Sequence, residues 1–297
     1  MGRRLSDAGE RIADERAALL GWGESIRRDL PWRETRDPWA VLVSEVMLQQ
    51  TQVARVVPRW KRFLDRWPTP TSCAEATLAE VLDEWAGLGY PRRARNLWLT
   101  AQAARDEHDG ALPWDLAALM RLPGIGAYTA RAVLAFAFER DAAVVDTNIA
   151  RVLARRAGRR LTPRDAQAEA DAFLTAGSAW AHNQSLMDLG AMLCRPVPEC
   201  DPCPLRGACA WRVAGRPDPD PAIGSAGVSR RQSRFAGSDR QGRGRLLEAL
   251  RTSSIAPDRL ASVMGWPDDV DRASRVAATL VTDGLVAEDA GVYRLAT

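Results

Sequence analysis

Leu122-Pro123-Gly124-Ile125-Gly126-Ala127-Tyr128-Thr129-Ala130 is the stretch that decides how this chain folds. Leu-Pro closes one helical pattern, two glycines make a turn, and small and apolar residues open the next helix. The glycines let the backbone approach a ligand closely. The helix start adds N–H groups with no partner inside the helix and the positive end of its dipole. A phosphate is the natural occupant of such a turn. Around it, apolar residues recur at spacings of three and four, as in Leu78, Val81, Leu82 and Trp85, and no stretch up to about residue 214 alternates with period two. The expected fold class is all-α.

The 297 residues are 46% hydrophobic and 27% charged, which suits one or two globular domains and excludes a disordered chain, a coiled coil or a fibre. The apolar run Ala132 to Phe138 is far shorter than the roughly 20 residues of a membrane span. No signal peptide opens the chain, so a cytoplasmic protein with no membrane partner is expected. Gly215 to about Gln241 is rich in Pro, Asp, Ser, Gly and Arg and reads as a linker. Beyond it, residues 242–297 show three helical segments and then two short runs, 284–288 and 291–295, that read as a β-hairpin. Three helices and a hairpin suggest a small winged-helix-like module.

The net charge of +3 does not by itself imply nucleic acid, so the distribution of charge matters more. Arginines cluster at Arg92, Arg93 and Arg95, at Arg151, Arg155, Arg156, Arg159 and Arg160, and at Arg230, Arg231 and Arg234. Solvated helix faces account for each cluster taken separately, while the segment from Arg230 to Phe235 could equally run along DNA. Of the 41 basic residues only Lys61 is a lysine. A guanidinium stays protonated and cannot act as an amine nucleophile.

Four of the five cysteines form Cys194-x5-Cys200-x2-Cys203-x5-Cys209, interleaved with prolines. In a chain with no secretory signal such a set reads as a metal site before a disulfide pair. All-thiolate ligation suits zinc or an iron–sulfur cluster, and one CxxC flanked by two wider gaps favours a [4Fe-4S] cluster. Cys73 stands alone and reads as a small buried hydrophobe. The histidines, His108 and His182, accompany no titratable motif and read as structural or exposed.

Two carboxylates carry the remaining chemistry. Asp146, in Val144-Val145-Asp146-Thr147-Asn148, stands just before a helical pattern, where it reads as an N-cap. The helix terminus favours its ionised form, so the same place serves a catalytic anion. Glu45 lies in Val41 to Leu48, which is apolar almost all round, and desolvation there should raise its pKa and keep it protonated. A neutral acid paired with an ionised carboxylate is the arrangement that breaks glycosidic bonds.

From about Asp29 to Trp211 the chain closely resembles adenine DNA glycosylases of the MutY type, within the helix-hairpin-helix superfamily. The resemblance rests on Leu30-Pro31-Trp32-Arg33, Ser44-Glu45-Val46-Met47-Leu48-Gln49-Gln50-Thr51-Gln52-Val53, Gly87-Leu88-Gly89-Tyr90, the Leu122 to Ala130 turn, Asp146 to Asn148, Met187 to Ala191 and the cysteine loop. It implies a two-lobed glycosylase fold: a barrel lobe at 31–141 with the hairpin, and a cluster lobe of 1–30 plus 142–214. The linker at 215–241 and the module at 242–297 complete the chain, with Asp146 across an interlobe cleft from Glu45. It implies that Glu45 protonates adenine at N7, that Asp146 supports the sugar cation, and that Tyr128 and Asn148 lie near the sugar. Gln50 and Tyr90 correspond to residues that wedge into the base stack, Thr51 and Leu88 to residues near the base opposite. Arg28, Arg33 and Gln184 fall where the family contacts the extruded adenine, and Gly124 and Gly126 grip the backbone. Cys194, Cys200, Cys203 and Cys209 would hold one [4Fe-4S] cluster.

The implied function is removal, in base excision repair, of adenine mispaired with 8-oxoguanine or guanine in double-stranded DNA. A monomer at the nucleoid is expected. In the similar endonuclease III type, a lysine two residues after the second hairpin glycine attacks the sugar. Here that residue is Tyr128, which implies a glycosylase without an efficient lyase step. The competing readings are a glycosylase for thymine opposite guanine, against which Glu45 argues because thymine has no N7, and a non-catalytic DNA-binding protein. The chain departs from the family at a first cysteine gap one residue short, at Pro91 in place of a second tyrosine, at Thr147 in place of a glycine, and in lacking the Nudix-like domain through which many members recognise 8-oxoguanine.

Overall fold

The computed structural model describes residues 2–228 and 234–296. Its helices are α1 (Gly2–Ser25), α2 (Pro31–Glu34), α3 (Pro38–Leu48), α4 (Val53–Arg66), α5 (Pro70–Ala74), α6 (Leu78–Glu84), α7 (Arg92–Glu107) and α8 (Leu116–Arg121). They continue as α9 (Ala127–Phe136), α10 (Thr147–Ala157), α11 (Pro163–Phe173), α12 (Ala179–Met192), α13 (Ala210–Val213), α14 (Asp239–Leu250), α15 (Leu260–Met264) and α16 (Val270–Thr282). One hairpin, β1 (Val286–Asp289) and β2 (Val292–Leu295), follows, so the all-α expectation with a small C-terminal sheet holds. Among the described residues no helix is long and apolar enough to cross a membrane.

Two compact units divide the chain. The first comprises residues 1–42, 114–120 and 125–230, the second 43–113, 121–124 and 231–297. This division differs from the expected boundaries, and residues 31–42 and 114–120 of the expected barrel lobe also fall in the first unit. α9 belongs with the first unit, because it packs on α12. The C-terminal module groups with the second, where Arg251 Nη2 donates to Leu82 O at 2.9 Å. Residues 220–228, expected as linker, form a strap along α10 and the turn before α11. Leu161 N donates to Ser225 Oγ (3.0 Å), Ala226 N to Leu161 O (2.9 Å), and Ala222 and Ser225 are buried. Composition pointed to a solvated linker because the strap's bonds are to backbone and to distant arginines, which no local pattern reveals.

In the first unit α1 and α10 pack against α12. Gly190 permits the α10 contact, since a Cβ there would stand 2.6 Å from Asn148 Cβ and O. His182 of α12 is buried, its ring edge-on to Phe173 and its Nδ1 3.1 Å from Thr175 Oγ1, while Nε2 has no hydrogen-bond partner. Burial first, then the charges of Arg16 and Arg156, pull its pKa down to about 4. The unfolded chain, with a His pKa near 6.5, therefore takes up this proton first as the pH falls. The neutral ring's contribution is complete above about pH 6.5 and is lost as pH falls through 4, amounting to about 3 kcal/mol. Urea unfolding of wild type and His182→Gln at pH 7 and at pH 4.5 should show the wild type losing stability relative to the variant in acid. A pH-independent difference between them would remove His182 from the acid response.

The second unit buries Val56, Trp60 and Phe63 of α4 with Trp67 and Trp85, the Phe63 ring meeting both indoles edge-on at 4.9 and 6.5 Å. Capping boxes fix the starts of α5 (Thr69 with Ser72) and α6 (Thr77 with Glu80). Cys73 is fully buried beside α7, and burial pushes its thiol up to about 12, which leaves it inert. The C-terminal module of this unit closes over Leu246, Leu250, Leu260, Met264, Val276 and Leu280, and Ile255 bridges to Tyr293 of the hairpin. The order helix, helix, helix, hairpin is that of a winged helix.

Candidate active site and nucleic-acid interface

The turn between α8 and α9 has the form its glycines require. Gly124 sits at φ +75, and Asn96 lies so close that a Cβ would meet its side chain at 2.5 to 2.9 Å. Thr100 Oγ1 donates to Pro123 O at 2.8 Å and holds the turn against α7. Gly126 is the N-cap of α9, offers no side-chain cap and has nothing within 4 Å of its Cβ position. Gly126 thus opens α9 without a side-chain cap, with Tyr128 in the helix's first turn.

Two further turns carry the expected wedge residues. Gln50 and Tyr90 both lie in the left-handed region, at φ 55 and 50, and both are exposed, Tyr90 by 37%. Arg93 ties the turns together. Its Nη1 donates to the carbonyls of Val46 (2.7 Å), Met47 (3.1 Å) and Gln49 (2.6 Å), and its Nη2 to Leu88 O (3.1 Å), Gly89 O (3.0 Å) and Thr51 Oγ1 (3.2 Å). Burial pulls its pKa down to about 10, so the guanidinium remains charged at neutral pH. Thr51 is thus part of the staple, and Leu88 is buried at 3% exposure. Glu45, on α3, is buried at 7% exposure beside Ser44 and Val46, as its apolar sequence context implies.

Asp146 is the N-cap of α10. Its Oδ1 accepts from Ile149 N at 2.7 Å and its Oδ2 from Asn148 Nδ2 at 3.1 Å. Burial pushes its pKa above the ordinary carboxylate range, against these bonds and the charge of Arg151. Desolvation is the effect that the expectation of a plainly ionised group left out. Thr147, where the family usually has glycine, donates Oγ1 to Gly227 O at 2.9 Å and so pins the strap beside Asp146. Arg151 donates to Asn148 Oδ1 (2.8 Å), Gly190 O (2.8 Å) and Cys194 O (3.0 Å), linking the Asp146 network to the cysteine loop.

The four loop cysteines are free thiols, and Cys194, Cys203 and Cys209 each feel the charge of others in the set. Burial raises all three, Cys203 to about 11. Donors are aimed at their sulfurs: Arg155 Nη1 at Cys194 Sγ (3.3 Å) and backbone N–H groups near Leu205, Trp211 and Arg212 at Cys203 and Cys209. An all-sulfur set ringed by N–H donors fits thiolate ligands of an iron–sulfur cluster. Among the described residues no three His, Cys, Asp or Glu side chains close on one point as they do around a single metal ion. Arg155 also donates to Asp220 at 2.5 to 3.1 Å and to Arg195 O and Pro196 O.

Arg28 and Arg33 converge on Asp188 of α12. Arg28 Nε meets Oδ1 at 2.6 Å, and Arg33 makes a fork of 2.8 and 2.9 Å to Oδ2 and Oδ1. Arg33, Asp188 and Gln184 are all buried. Of the arginine clusters, Arg151 and Arg155 are buried and Arg93, Arg95 and Arg156 half-buried, while Arg92, Arg159 and Arg160 are exposed. Arg92 pairs with Asp283 (3.5 Å), Arg95 lies against Gly284, Arg156 pairs with Glu15 (2.7 Å), and Arg160 donates to Gly224 O (3.0 Å). Arg230 and Arg231 lie outside the described residues.

Residues 43–174 match the family model of HhH-GPD superfamily base excision DNA repair proteins. The adenine DNA glycosylase of Mycolicibacterium smegmatis is 43% identical over 285 residues, covering 94% of this chain and 94% of that protein. The chain belongs to the adenine DNA glycosylases. The human adenine DNA glycosylase is 39% identical over 220 residues, which are 66% of this chain but only 39% of the human protein. Among solved structures, a thermostable thymine-DNA glycosylase superposes with a TM-score of 0.66 at 28% identity, covering 70% of this chain and 99% of that one. An endonuclease III–DNA covalent intermediate shares the fold, with a TM-score of 0.61 at 24% identity over 70% of this chain and 98% of that one. Within this family the chain has four fasteners that sequence reading missed: Arg93, Arg151, Asp188 and Asp220. Asp188 alone left a local signal, a carboxylate in the apolar run Leu186 to Leu189.

Proposed function

We propose that the chain hydrolyses the N-glycosidic bond of adenine mispaired with 8-oxoguanine or guanine in double-stranded DNA, acting as a monomer at the nucleoid and leaving an abasic site. The observation that carries this reading is Asp146, a carboxylate held in one orientation at the start of α10 by Ile149 N–H and Asn148. The adenine must leave the stack before its atoms can be reached. Gln50 and Tyr90 would fill the space it vacates, with Thr51 and Leu88 towards the opposite base and the Gly124 to Gly126 turn on a phosphate. Arg28 and Gln184 would border the extruded base, and Arg33 would shape that wall through Asp188.

In the reaction Glu45 gives its proton to adenine N7, and the bond from N9 to C1′ breaks with its electron pair going to the base. Asp146 supports the cation left on the sugar, with Tyr128 and Asn148 beside it. Water then adds hydroxide to C1′ and releases a proton, which restores the acid. Cys194, Cys200, Cys203 and Cys209 would hold the [4Fe-4S] cluster, which when bound supplies four iron–thiolate bonds that fix the loop. Because Tyr128 occupies the lysine position, no Schiff base forms.

Base release from duplexes carrying A opposite 8-oxoguanine, A opposite G and T opposite G tests the reading. Adenine should be released from the first two and thymine from none, and borohydride should trap no enzyme on abasic DNA. Release of thymine alone would replace the substrate assignment, and robust trapping would overturn the absence of a lyase step.

A further inference from the structure

The C-terminal module is seated on the wedge turn. Arg251 Nη2 donates to Leu82 O at 2.9 Å and its Nε lies 3.2 Å from Asp83 Oδ1. An apolar cleft between Trp85 and Pro91 on one side and Leu247 and Leu295 on the other completes the contact. The module's first residues are fixed as firmly. Ser238 N and Oγ donate to Phe235 O at 3.1 and 2.6 Å, Gly237 N to Gln241 Oε1 at 2.8 Å, and Arg272 Nη2 to Gly237 O at 2.9 Å. This pinned turn nevertheless leaves the Phe235 ring 57% exposed. Arg240 joins it to the wedge residue: its Nη1 lies 3.4 Å from Tyr90 Oη and its guanidinium 6.0 Å from the Phe235 ring centre. The nearby Asp239 is neutralised by Arg272 at 2.7 Å, so the surface around Arg240 keeps its positive sign.

We infer that Tyr90, Arg240 and Phe235 form one nucleic-acid contact surface, two of its three residues supplied by the turn and helix that open the C-terminal module, which binds the distorted duplex around the mispair. Two accessible rings flanking a guanidinium suit an unstacked base and its phosphate, since the rings stack on any base face and the cation meets the backbone. DNA that has lost a base from its stack offers an exposed ring on a pinned turn a partner. The inference rests on the adenine glycosylase reading and adds to it a role for the C-terminal module.

The test measures binding to a duplex with A opposite 8-oxoguanine, in a Glu45→Gln background so that substrate is not consumed, for Phe235→Ala and Arg240→Ala. Each should raise Kd by roughly tenfold, as loss of a stacking or cationic contact does. Arg240→Ala should also reduce the salt slope of log K by about one, and Phe235→Ala should leave it unchanged. With Glu45 present, single-turnover adenine release at subsaturating enzyme should fall in step with the weakened binding. Wild-type Kd in both variants overturns the inference, and so does weaker binding that comes with a lowered thermal midpoint and an unchanged slope in Arg240→Ala, which would make Arg240 a tether only. Weakened binding with the expected slope, beside a wild type that releases no adenine, would support the surface and overturn the functional reading alone.

Discussion

Replacing Glu45 by Gln should slow adenine release by about 10²- to 10⁴-fold, the usual share of a general acid, with mispair affinity changed only a few-fold. The substitution keeps the shape of a side chain that is 7% exposed within the apolar face of α3, so packing is preserved while the transferable proton is removed. The protonated carboxyl is the form that can protonate N7. Single-turnover release from a duplex with A opposite 8-oxoguanine, measured beside binding, separates the two effects. Release at the wild-type rate would mean that another group supplies the proton, and equal loss of binding and rate would mean that Glu45 positions the base instead of protonating it.

The parts of the site legible in the sequence are those whose chemistry is local. Gly124 and Gly126 had to make a turn and Asp146 had to cap a helix. Each is decided by residues a few positions apart, and the structure has the turn and the cap in the expected form. Arginines behaved differently. Arg93 and Arg95 look alike in sequence, yet Arg93 reaches five carbonyls in two turns and Arg95 packs at Gly284. What separates them is the direction each side chain takes from α7 and what chance of topology lies there, between 4 and 189 positions away. The strap at 220–228 was illegible for the same reason, because its anchors, Arg155, Leu161 and Thr147, belong to other elements.

This use of guanidinium also explains why one lysine in 41 basic residues is compatible with a well-fastened site. A lysine offers a point charge with three donors, and buried it readily loses its proton. Arg93, Arg151 and Arg155 each satisfy three or more acceptors across separate segments, a task that suits a planar fork and a charge that persists in poor solvent. The net charge of +3 therefore understates how differently the charges are placed: Arg33, Arg151 and Arg155 are buried inside the first unit, while others such as Arg92, Arg159 and Arg160 stand at the surface.

Asp188→Ala should be the most destabilising single change in the first unit. The Arg33 and Asp188 side chains are only 4% and 2% exposed, and Arg33 cannot shed its proton to escape burial. Removing the carboxylate strands that charge and frees Arg28 from its 2.6 Å contact, at a cost of about 3 to 5 kcal/mol, a large fraction of the roughly 5 to 15 kcal/mol that holds a typical domain folded. Arg33→Met combined with Asp188→Leu should recover most of the loss, because an apolar pair of similar volume needs no compensation. Urea unfolding of the two single variants, the double variant and wild type gives the coupling directly. A single variant within about 1 kcal/mol of wild type would show that water reaches Arg33 and that the fork is a surface-like contact. The double variant carries the functional part of the argument: if it folds yet releases adenine far more slowly, the ion pair's role is to shape the wall beside the extruded base, and stability alone does not account for a buried pair that an apolar one could replace.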